Sequence, residues 1–171
     1  MSTLQYRFCP QCAAPLVPKH LGDADRMACE AAGCGFVQWG NPVPVVAALV
    51  EYQGKILLAR NVAWPPQFYA LITGFLEKNE TPLEGAIREL KEETNLDAVQ
   101  SSLIGVYPFA RKNEVIMAYH IQAEGEVTLS EELVDYKLVE PARLRPWRMG
   151  TGLAMADWMQ ARGLPFEWLE F

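Results

Sequence analysis

The sequence predicts an α/β domain preceded by a small cysteine-rich module that a metal ion holds together. Three features of the 171-residue chain predict this arrangement. All four cysteines lie before residue 35, short apolar runs separated by turn residues follow them, and two later segments carry apolar residues at helical spacing. The length suits one main domain with an accessory module, and we place the two parts at residues 1–38 and 39–171.

The charge and hydropathy of the chain exclude several classes of partner. A net charge of -6 argues against polymeric nucleic acid, because proteins that bind it carry a basic surface. Phosphorylated small molecules stay open, since divalent cations can neutralise carboxylates and phosphates together. No apolar run reaches the roughly 18 residues of a membrane span, and residues 1–8 lack a basic segment followed by an apolar one. We therefore expect a cytoplasmic protein with no membrane partner.

The cysteines form two close pairs. Two residues separate Cys9 from Cys12, and four separate Cys29 from Cys34. Such pairs joined by a loop are typical of tetrahedral thiolate coordination of zinc, and four thiolates leave no open position for catalysis. The alternatives are two disulfides, which the cytoplasm disfavours, or four ordinary buried thiols, which the clustering disfavours. We predict a structural zinc ribbon, with His20 as a surface side chain.

The main domain begins with strands. Residues 36–44, which contain two prolines, join the ribbon to the domain. The apolar runs 43–52 and 55–60, separated by Gln53 and Gly54, predict a hairpin. Three further apolar runs predict strands, at residues 69–73, 103–106 and 115–122.

The first long helix is predicted over residues 82–94. Thr81 can cap it, Pro82 suits its first position, and Glu84 completes a capping box. One face of this helix is mainly apolar, formed by Leu83, Ala86, Ile87, Leu90 and Thr94.

The second long helix is predicted over residues 152–162. Thr151 can cap its start, and Gly163 and Pro165 close its end. Its apolar residues are expected to pack in the core or at a subunit interface.

The first helix also carries an acidic face. Glu89, Glu92 and Glu93 stand at i, i+3 and i+4, so three carboxylates lie side by side. Most acidic helix faces are simply solvated, and that interpretation stays open. A hard divalent cation such as Mg²⁺ would instead convert the repulsion among these carboxylates into binding, with room for a phosphate oxygen and a water.

The segment that contains this helix resembles the signature of the Nudix hydrolase superfamily. Residues 74–96 read GFLEKNETPLEGAIRELKEETNL, and eight of them satisfy the signature: Gly74, Glu80, Arg88, Glu89, Leu90, Glu92, Glu93 and Leu96. Asn95 replaces the glycine that ends the helix in the signature. This change is mild, because asparagine tolerates the left-handed conformation.

The resemblance implies a fold, an activity and a set of roles. The fold is an α/β/α sandwich with a mixed sheet, and the activity is metal-dependent hydrolysis of a phosphoanhydride bond in a nucleoside diphosphate linked to another moiety. Glu89, Glu92 and Glu93 would bind Mg²⁺ or Mn²⁺, with Glu89 or Glu93 also a candidate base. Arg88 would orient a carboxylate, and the carbonyl of Gly74 would be a further metal ligand. Glu80 would be structural.

The ribbon, the Asn41-Pro42 joining segment and the hairpin resemble the zinc-ribbon branch of the superfamily, which contains NADH pyrophosphatases and flavin-nucleotide hydrolases. Relatives in this branch are commonly dimers, so a homodimer is expected. A glutamate after the signature often completes the metal site there, and Glu132 falls in the corresponding place, with Glu131 as the alternative.

The expected substrate is a small nucleotide such as NADH, FAD or ADP-ribose. Phe75, which could stack on a ring or pack in the core, Arg60 and Phe109 are the candidate contacts, with Tyr69 a weaker one. Of the motif typical of NADH pyrophosphatases after the signature, only Pro108-Phe109 is retained, so no residue discriminates among these substrates. Two other functions stay open, a nucleoside triphosphate pyrophosphatase and a catalytically silent binding or regulatory module.

Overall fold

The computed structural model describes residues 6–170 and divides into two compact units. One unit comprises the residues up to Pro42 together with 111–113, and the other comprises residues 43–110 and those from Glu114 onward. Residues 1–5, part of the start on which the cytoplasmic prediction rests, lie outside the described residues.

The N-terminal unit is a three-stranded antiparallel sheet. Its strands are β1 (Leu16–Leu21), β2 (Ala24–Cys29) and β3 (Val37–Gln38), in the order β1-β2-β3. A single bridge between Phe8 and Pro15 precedes the sheet. This small sheet carries the four cysteines, as the prediction of a ribbon requires.

The main unit is built on a six-stranded sheet. Its strands are β4 (Val43–Tyr52), β5 (Lys55–Asn61), β6 (Ile72–Phe75), β7 (Asp97–Phe109), β8 (Glu114–Glu124) and β9 (Leu133–Val139). The order is β7-β8-β4-β5-β9, and β6 pairs with the first half of β4. β4 and β8 are parallel while the other pairs are antiparallel, which confirms the predicted mixed sheet.

Helices cover both faces of this sheet. Side chains of a strand alternate between faces, and those of β4 divide accordingly between separate buried clusters. Helix α1 (Pro82–Thr94) packs through Ala86 and Leu90 on the cluster that contains Val46 and Val50. Helix α2 (Thr151–Ala161) adds Met155, Trp158 and Met159 to the cluster that contains Leu49. The predicted α/β/α sandwich is confirmed.

The ends of α1 follow the sequence prediction. The Thr81 side chain accepts a hydrogen bond from the Glu84 amide while the Glu84 carboxylate accepts one from the Thr81 amide, so the capping box is complete. Asn95 ends the helix with φ of 62°, the left-handed conformation expected of the residue that replaces glycine.

The start of α2 differs from the prediction. Thr151 is the first helical residue and not the cap, which is Gly150 with φ of 50° and no side-chain hydrogen bond. The chain already turns at Met149, whose carbonyl accepts from the Gly152 amide at 3.0 Å, so the helix begins one residue earlier than predicted.

Three strands differ from the predicted ones in extent or existence. β7 is longer than the predicted run, β6 begins three residues later, and β9 was not predicted. β9 is an edge strand whose central residues are exposed, so it lacks the apolar alternation that identifies a strand. Within residues 6–170, no helix combines the length and the hydropathy needed to cross a bilayer.

Candidate functional site

The acidic face of α1 lies against the end of β6. Gly74 pairs with Val46 of β4, and a Cβ atom at Gly74 would collide with the carboxyl group of Glu89. Glycine at this position therefore allows the Glu89 carboxylate to approach the backbone of β6. The approach places one side-chain carboxylate directly against the backbone of β6 at Gly74.

Arg88 organises the carboxylates around it. Its Nη1 donates to Glu89 at 2.8 Å and to Glu92 at 3.0 Å, and its Nη2 donates to Glu80 at 2.8 Å and to the Phe75 carbonyl at 3.0 Å. Hydrogen bonding by Glu80 is the main cause that raises the pKa of Arg88, and Arg88 in turn lowers the pKa of Glu80. The guanidinium thus stays charged and links α1 to the end of β6.

Glu93 is the carboxyl group whose protonation is most perturbed. Burial raises its pKa, and the negative charges of Glu89, Glu132 and Glu92 raise it further, to about 8. A carboxyl group in this setting lacks compensating positive charge. A cation among these side chains would supply that charge and favour the ionised form of Glu93.

Backbone hydrogen bonds bring Glu132 to this helix. The amides of Thr128 and Ser130 donate to the carbonyls of Thr94 and Glu93, at 2.9 and 3.1 Å. These bonds tie the segment before β9 to the last turn of α1. The charge of this segment that acts on Glu93 is that of Glu132.

The donor set fits a hard divalent cation. Carboxylate oxygens and a backbone carbonyl are the ligands that Mg²⁺ and Mn²⁺ prefer. Within residues 6–170, the cysteines are the group of three or more ligand side chains whose donor atoms all lie close together, whereas Glu89 and Glu92 turn toward Arg88.

The four cysteines converge as the spacing predicts. Their Sγ atoms all lie within 4.8 Å of one another, with Cys9 and Cys34 at 3.5 Å and Cys12 and Cys29 at 3.5 Å. These separations are far longer than a disulfide bond and close to the ~3.8 Å edge of a tetrahedron built on Zn–S bonds of about 2.3 Å. The geometry fits a four-thiolate zinc site.

The four thiols differ in their surroundings. A hydrogen bond from the Phe36 amide lowers the pKa of the Cys34 thiol, but hydrogen bonds with the neighbouring thiols and burial outweigh it and raise the pKa to about 12. Burial raises the pKa of the Cys9 thiol, but hydrogen bonds from the Gln11 and Cys12 amides and from neighbouring thiols outweigh it and lower the pKa to about 7. The amide of Gln11 donates to Cys9 Sγ at 3.4 Å. Amide donors that point at a thiolate stabilise its charge. His20 lies away from this cluster, paired with Asp25 at 2.9 Å on an exposed surface.

The predicted substrate contacts do not all come together. Phe75 is 62% exposed beside Gly74, which excludes core packing for its ring. Arg60 is half-buried on β5, directly opposite Asp135 of β9. Phe109 packs instead against a core cluster on the α2 face, on edge strand β7 at the other side of the sheet from Arg60.

The surroundings of Arg60 include residues that the sequence did not identify as site residues. The Tyr69 hydroxyl donates to Asp135, and Lys137 Nζ lies 3.8 Å from the centroid of the Tyr69 ring. Asp135 and Lys137 belong to β9, the unpredicted edge strand. Charged residues alternating along an exposed segment give no local signal that distinguishes a site from a solvated surface.

Comparison with known proteins supports the sequence resemblance. The profile of the NUDIX domain matches residues 40–159. The NAD-capped RNA hydrolase NudC of Vibrio atlanticus (strain LGP32) is 32% identical over 117 residues, which are 68% of this chain and 42% of that relative. The protein of the same name from Stutzerimonas stutzeri (strain A1501) is 27% identical over 133 residues, 77% of this chain and 46% of that relative. The chain thus spans less than half the length of these two curated relatives.

Solved structures share the fold. The crystal structure of a NUDIX hydrolase from Nitrosomonas europaea superposes with a TM-score of 0.75 at 25% identity, covering 95% of this chain and 96% of its own. An ADP-ribose pyrophosphatase from Streptococcus suis superposes with a TM-score of 0.59 at 17% identity, covering 75% of this chain and all of its own, and shows the fold alone.

Proposed function

Because the chain belongs to the Nudix hydrolase family, we propose that it cleaves the phosphoanhydride bond of a small dinucleotide such as NADH, FAD or ADP-ribose. One observation carries this proposal. The Glu89 carboxyl group fills the space that a side chain at Gly74 would take, and the negative charges of Glu89, Glu132 and Glu92 all act on Glu93. A cluster of oxygen donors with unbalanced negative charge is suited to hold the divalent cations that accompany a diphosphate.

The proposed division of roles follows from the contacts. Glu89, Glu92, Glu93, Glu132 and the carbonyl of Gly74 would hold Mg²⁺ or Mn²⁺. When bound, the ions neutralise the diphosphate and lower the pKa of a bound water. Arg88 orients Glu89 and Glu92 through hydrogen bonds of 2.8 and 3.0 Å.

The reaction transfers a phosphoryl group from the bridging oxygen of the diphosphate to water. The water oxygen forms a bond to one phosphorus atom, the bond from that phosphorus to the bridging oxygen breaks, and the bridging oxygen leaves with the electron pair. Glu93 or Glu89 accepts the proton of the water. Glu93 becomes available for this role when the cations are bound, because they supply the positive charge that its buried, acidic setting lacks and so favour its ionised form. Two phosphorylated fragments result.

The zinc ribbon is proposed to serve folding. A closed four-thiolate site has no position for a substrate or a water. Up to residue 38, the chain has three basic residues and three acidic ones: Arg7, Lys19, Arg26 and Asp23, Asp25, Glu30. The segment therefore has no surplus of positive charge to hold a nucleic-acid chain.

The curated relatives bear the name of NAD-capped RNA hydrolases, and an NAD cap contains the same diphosphate as free NAD. The balanced charge of the ribbon favours the free dinucleotide for this chain. We would incubate the purified protein with Mg²⁺ or Mn²⁺ and NADH, NAD, FAD, ADP-ribose, nucleoside triphosphates or an NAD-capped oligoribonucleotide, and separate the phosphorylated products by chromatography. Fastest cleavage of one free dinucleotide is expected. Cleavage confined to the triphosphates or to the capped RNA would overturn the proposal.

A homodimer is also proposed. β7 is an edge strand of the main sheet and exposes Val99, Leu103 and Val106, each 57–62% accessible. Exposed apolar side chains on a sheet edge are typical of a surface that pairs with another chain. Light scattering after size exclusion should give twice the 19.2 kDa of one chain, and a monomer mass at micromolar concentration would contradict it.

A further inference from the structure

Arg60, Tyr69, Asp135 and Lys137 form a cluster on one face of the β5–β9 pair, which we name the Arg60 cluster. Arg60 and Asp135 are directly opposite in the register of the two strands, and Lys137 follows Asp135 on the same face. The Tyr69 hydroxyl reaches Asp135 from the start of the segment that leads into β6. Two cations therefore surround one carboxylate and one phenol.

Each oxygen of the Asp135 carboxylate accepts a hydrogen bond from a donor other than Arg60. Its Oδ2 accepts from the Tyr69 hydroxyl, and its Oδ1 accepts from the Tyr136 amide at 2.9 Å. The hydrogen bond from Tyr69 is the main cause that lowers the pKa of Asp135, ahead of the charges of Arg60 and Lys137. The carboxylate is thus stabilised mostly by neutral donors.

At least one N–H donor of the Arg60 guanidinium has no acceptor among the described residues. A guanidinium carries five N–H donors in a planar fork. Its buried Nε has no hydrogen-bond partner among the described residues. Lys137 adds a second positive charge 3.8 Å from the centroid of the Tyr69 ring and holds that ring in place by a cation–π contact.

A backbone hydrogen bond ties the chain just after Arg60 to Glu132, one of the residues proposed to bind metal. Two residues beyond Arg60, just after the end of β5, the Val62 amide donates to the carbonyl of Glu132 at 2.8 Å. The charge of Glu132 raises the pKa of Glu93. Two residues of an extended strand span at most ~7 Å, so an arginine side chain can reach the region beside Glu132.

We propose that Tyr69 is a positioning residue that keeps Arg60 available to a phosphate of the substrate, because its hydroxyl occupies the Asp135 carboxylate that would otherwise pair with the guanidinium. The ligand class is a diphosphate anion, and the inference rests on the proposed function for the identity of the molecule that carries it. Lys137 supplies the second cation of the same subsite.

A purely structural role for the same residues is the competing interpretation. Opposite charges across two strands stabilise a sheet without touching any ligand. The two interpretations differ in a double variant. If Tyr69 acts by occupying Asp135, removing the Asp135 charge must cancel the effect of removing the Tyr69 hydroxyl, whereas two structural losses would add.

The experiment measures the binding of inorganic diphosphate in the presence of Mg²⁺ by calorimetry, together with KM and kcat for the dinucleotide that the wild type cleaves fastest. Tyr69→Phe is expected to weaken diphosphate binding and raise KM by about three- to tenfold, with kcat within about twofold, since binding common to ground and transition states is lost. Tyr69→Phe combined with Asp135→Asn is expected to recover most of the affinity. In an Arg60→Ala background, Tyr69→Phe should have no further effect.

Glu140→Gln is the matched control. It removes the ion pair of 3.1 Å between Lys55 and Glu140 at the far end of the same strand pair, and should change melting temperature without changing KM or diphosphate affinity. Unchanged diphosphate affinity in Tyr69→Phe, or a double variant as weak as the single one, would overturn the inference. A wild type that binds diphosphate with the expected variant pattern but cleaves no dinucleotide would overturn the proposed function and leave the inference standing.

Discussion

At the scale of single residues, the site depends on how much negative charge the protein places in one region. Arg88 compensates Glu89 and Glu92, with contacts of 2.8 and 3.0 Å. Glu93 receives no such compensation, and burial together with Glu89, Glu132 and Glu92 raises its pKa to about 8. This uneven distribution singles out Glu93 as the carboxyl group that gains most from a bound cation.

Glu93→Gln is therefore expected to abolish most metal-dependent turnover. The amide keeps the shape of the side chain but supplies neither the charge for a cation nor a base for water, and a loss of at least about 100-fold in kcat is expected. Glu132→Gln should weaken Mg²⁺ activation, since Glu132 acts on the same group. Steady-state rates across a Mg²⁺ titration provide the measurement.

Glu131→Gln is the control for both variants, because it removes one negative charge from the same segment. Its rate and Mg²⁺ dependence should match those of the wild type within about twofold, as expected of an exposed surface charge. If Glu131→Gln lost Mg²⁺ activation while Glu132→Gln kept it, the assignment of the metal ligand on this segment would be wrong. A Glu93→Gln protein that is folded and fully active would refute the proposed catalytic face.

The raised pKa of Glu93 also predicts a pH dependence of stability. A carboxyl group with a pKa of about 8 in the folded chain and 4.5 as its ordinary value binds more protons when folded, so its contribution is complete below pH 4.5 and is lost as the pH rises through 8. Without added divalent cations, the melting temperature of the wild type should fall relative to that of Glu93→Gln as the pH rises from 4.5 to 8. Added Mg²⁺ should reduce the difference, since it favours the ionised form. A difference independent of pH would contradict the assignment.

At the scale of helices and strands, local signals predicted α1 completely and β9 not at all. Thr81, Pro82, Glu84 and Asn95 act on the backbone within one turn, so the sequence contains the information needed for both helix ends. β9 is defined by its pairing with β5, which precedes it by more than seventy positions. The central residues of β9 are exposed, so the strand has no alternation of apolar and polar side chains that would identify it. The Arg60 cluster could not be predicted for the same reason, because Asp135 and Lys137 reach Arg60 only through that pairing.

The signature residues of the candidate site were predictable for the opposite reason. Gly74, Arg88 and Glu89 lie within one short segment, and their contacts form between the end of β6 and the first turns of the helix that follows. Glu132 was predicted from the family resemblance alone, since no local signal shows that the bonds from Thr128 and Ser130 hold its segment to the last carbonyls of α1.

Asn95 gives a test of how the end of α1 is stabilised. Its φ of 62° favours asparagine or glycine, and its side-chain amide donates to the Glu126 carbonyl at 3.3 Å. Asn95→Ala should lower the free energy of unfolding by about 1 to 2 kcal/mol, because a Cβ-bearing residue without a local hydrogen bond is strained there. Asn95→Gly should lower it by a few tenths of a kcal/mol, and chemical denaturation compares the two. Equal losses in both variants would mean that the lost side-chain hydrogen bond, and not the backbone conformation, dominates.

At the scale of the whole molecule, two different sources of stability operate in the two compact units. The main unit has buried clusters on both faces of a six-stranded sheet, with Leu49, Leu57 and Leu90 fully buried. The buried cluster of the N-terminal unit contains Leu16 and two of the cysteines, Cys9 and Cys29. An apolar cluster of this size cannot offset the conformational entropy lost by ordering a chain segment of about 35 residues, so another source of stability is required.

That source is predicted to be one zinc ion per chain, bound by Cys9, Cys12, Cys29 and Cys34. Elemental analysis of protein purified without added zinc should find close to one equivalent, and Cys29→Ser should lower it, because three thiolates with a hydroxyl form a weaker site. His20→Ala is the control and should keep the full equivalent, since His20 pairs with Asp25 on the surface. Removal of the metal should unfold the N-terminal unit, seen as faster proteolysis before Pro42, because metal binding and folding are coupled in such modules. A folded N-terminal unit with well under one equivalent of any metal would show that the clustered thiols stabilise the sheet by packing alone.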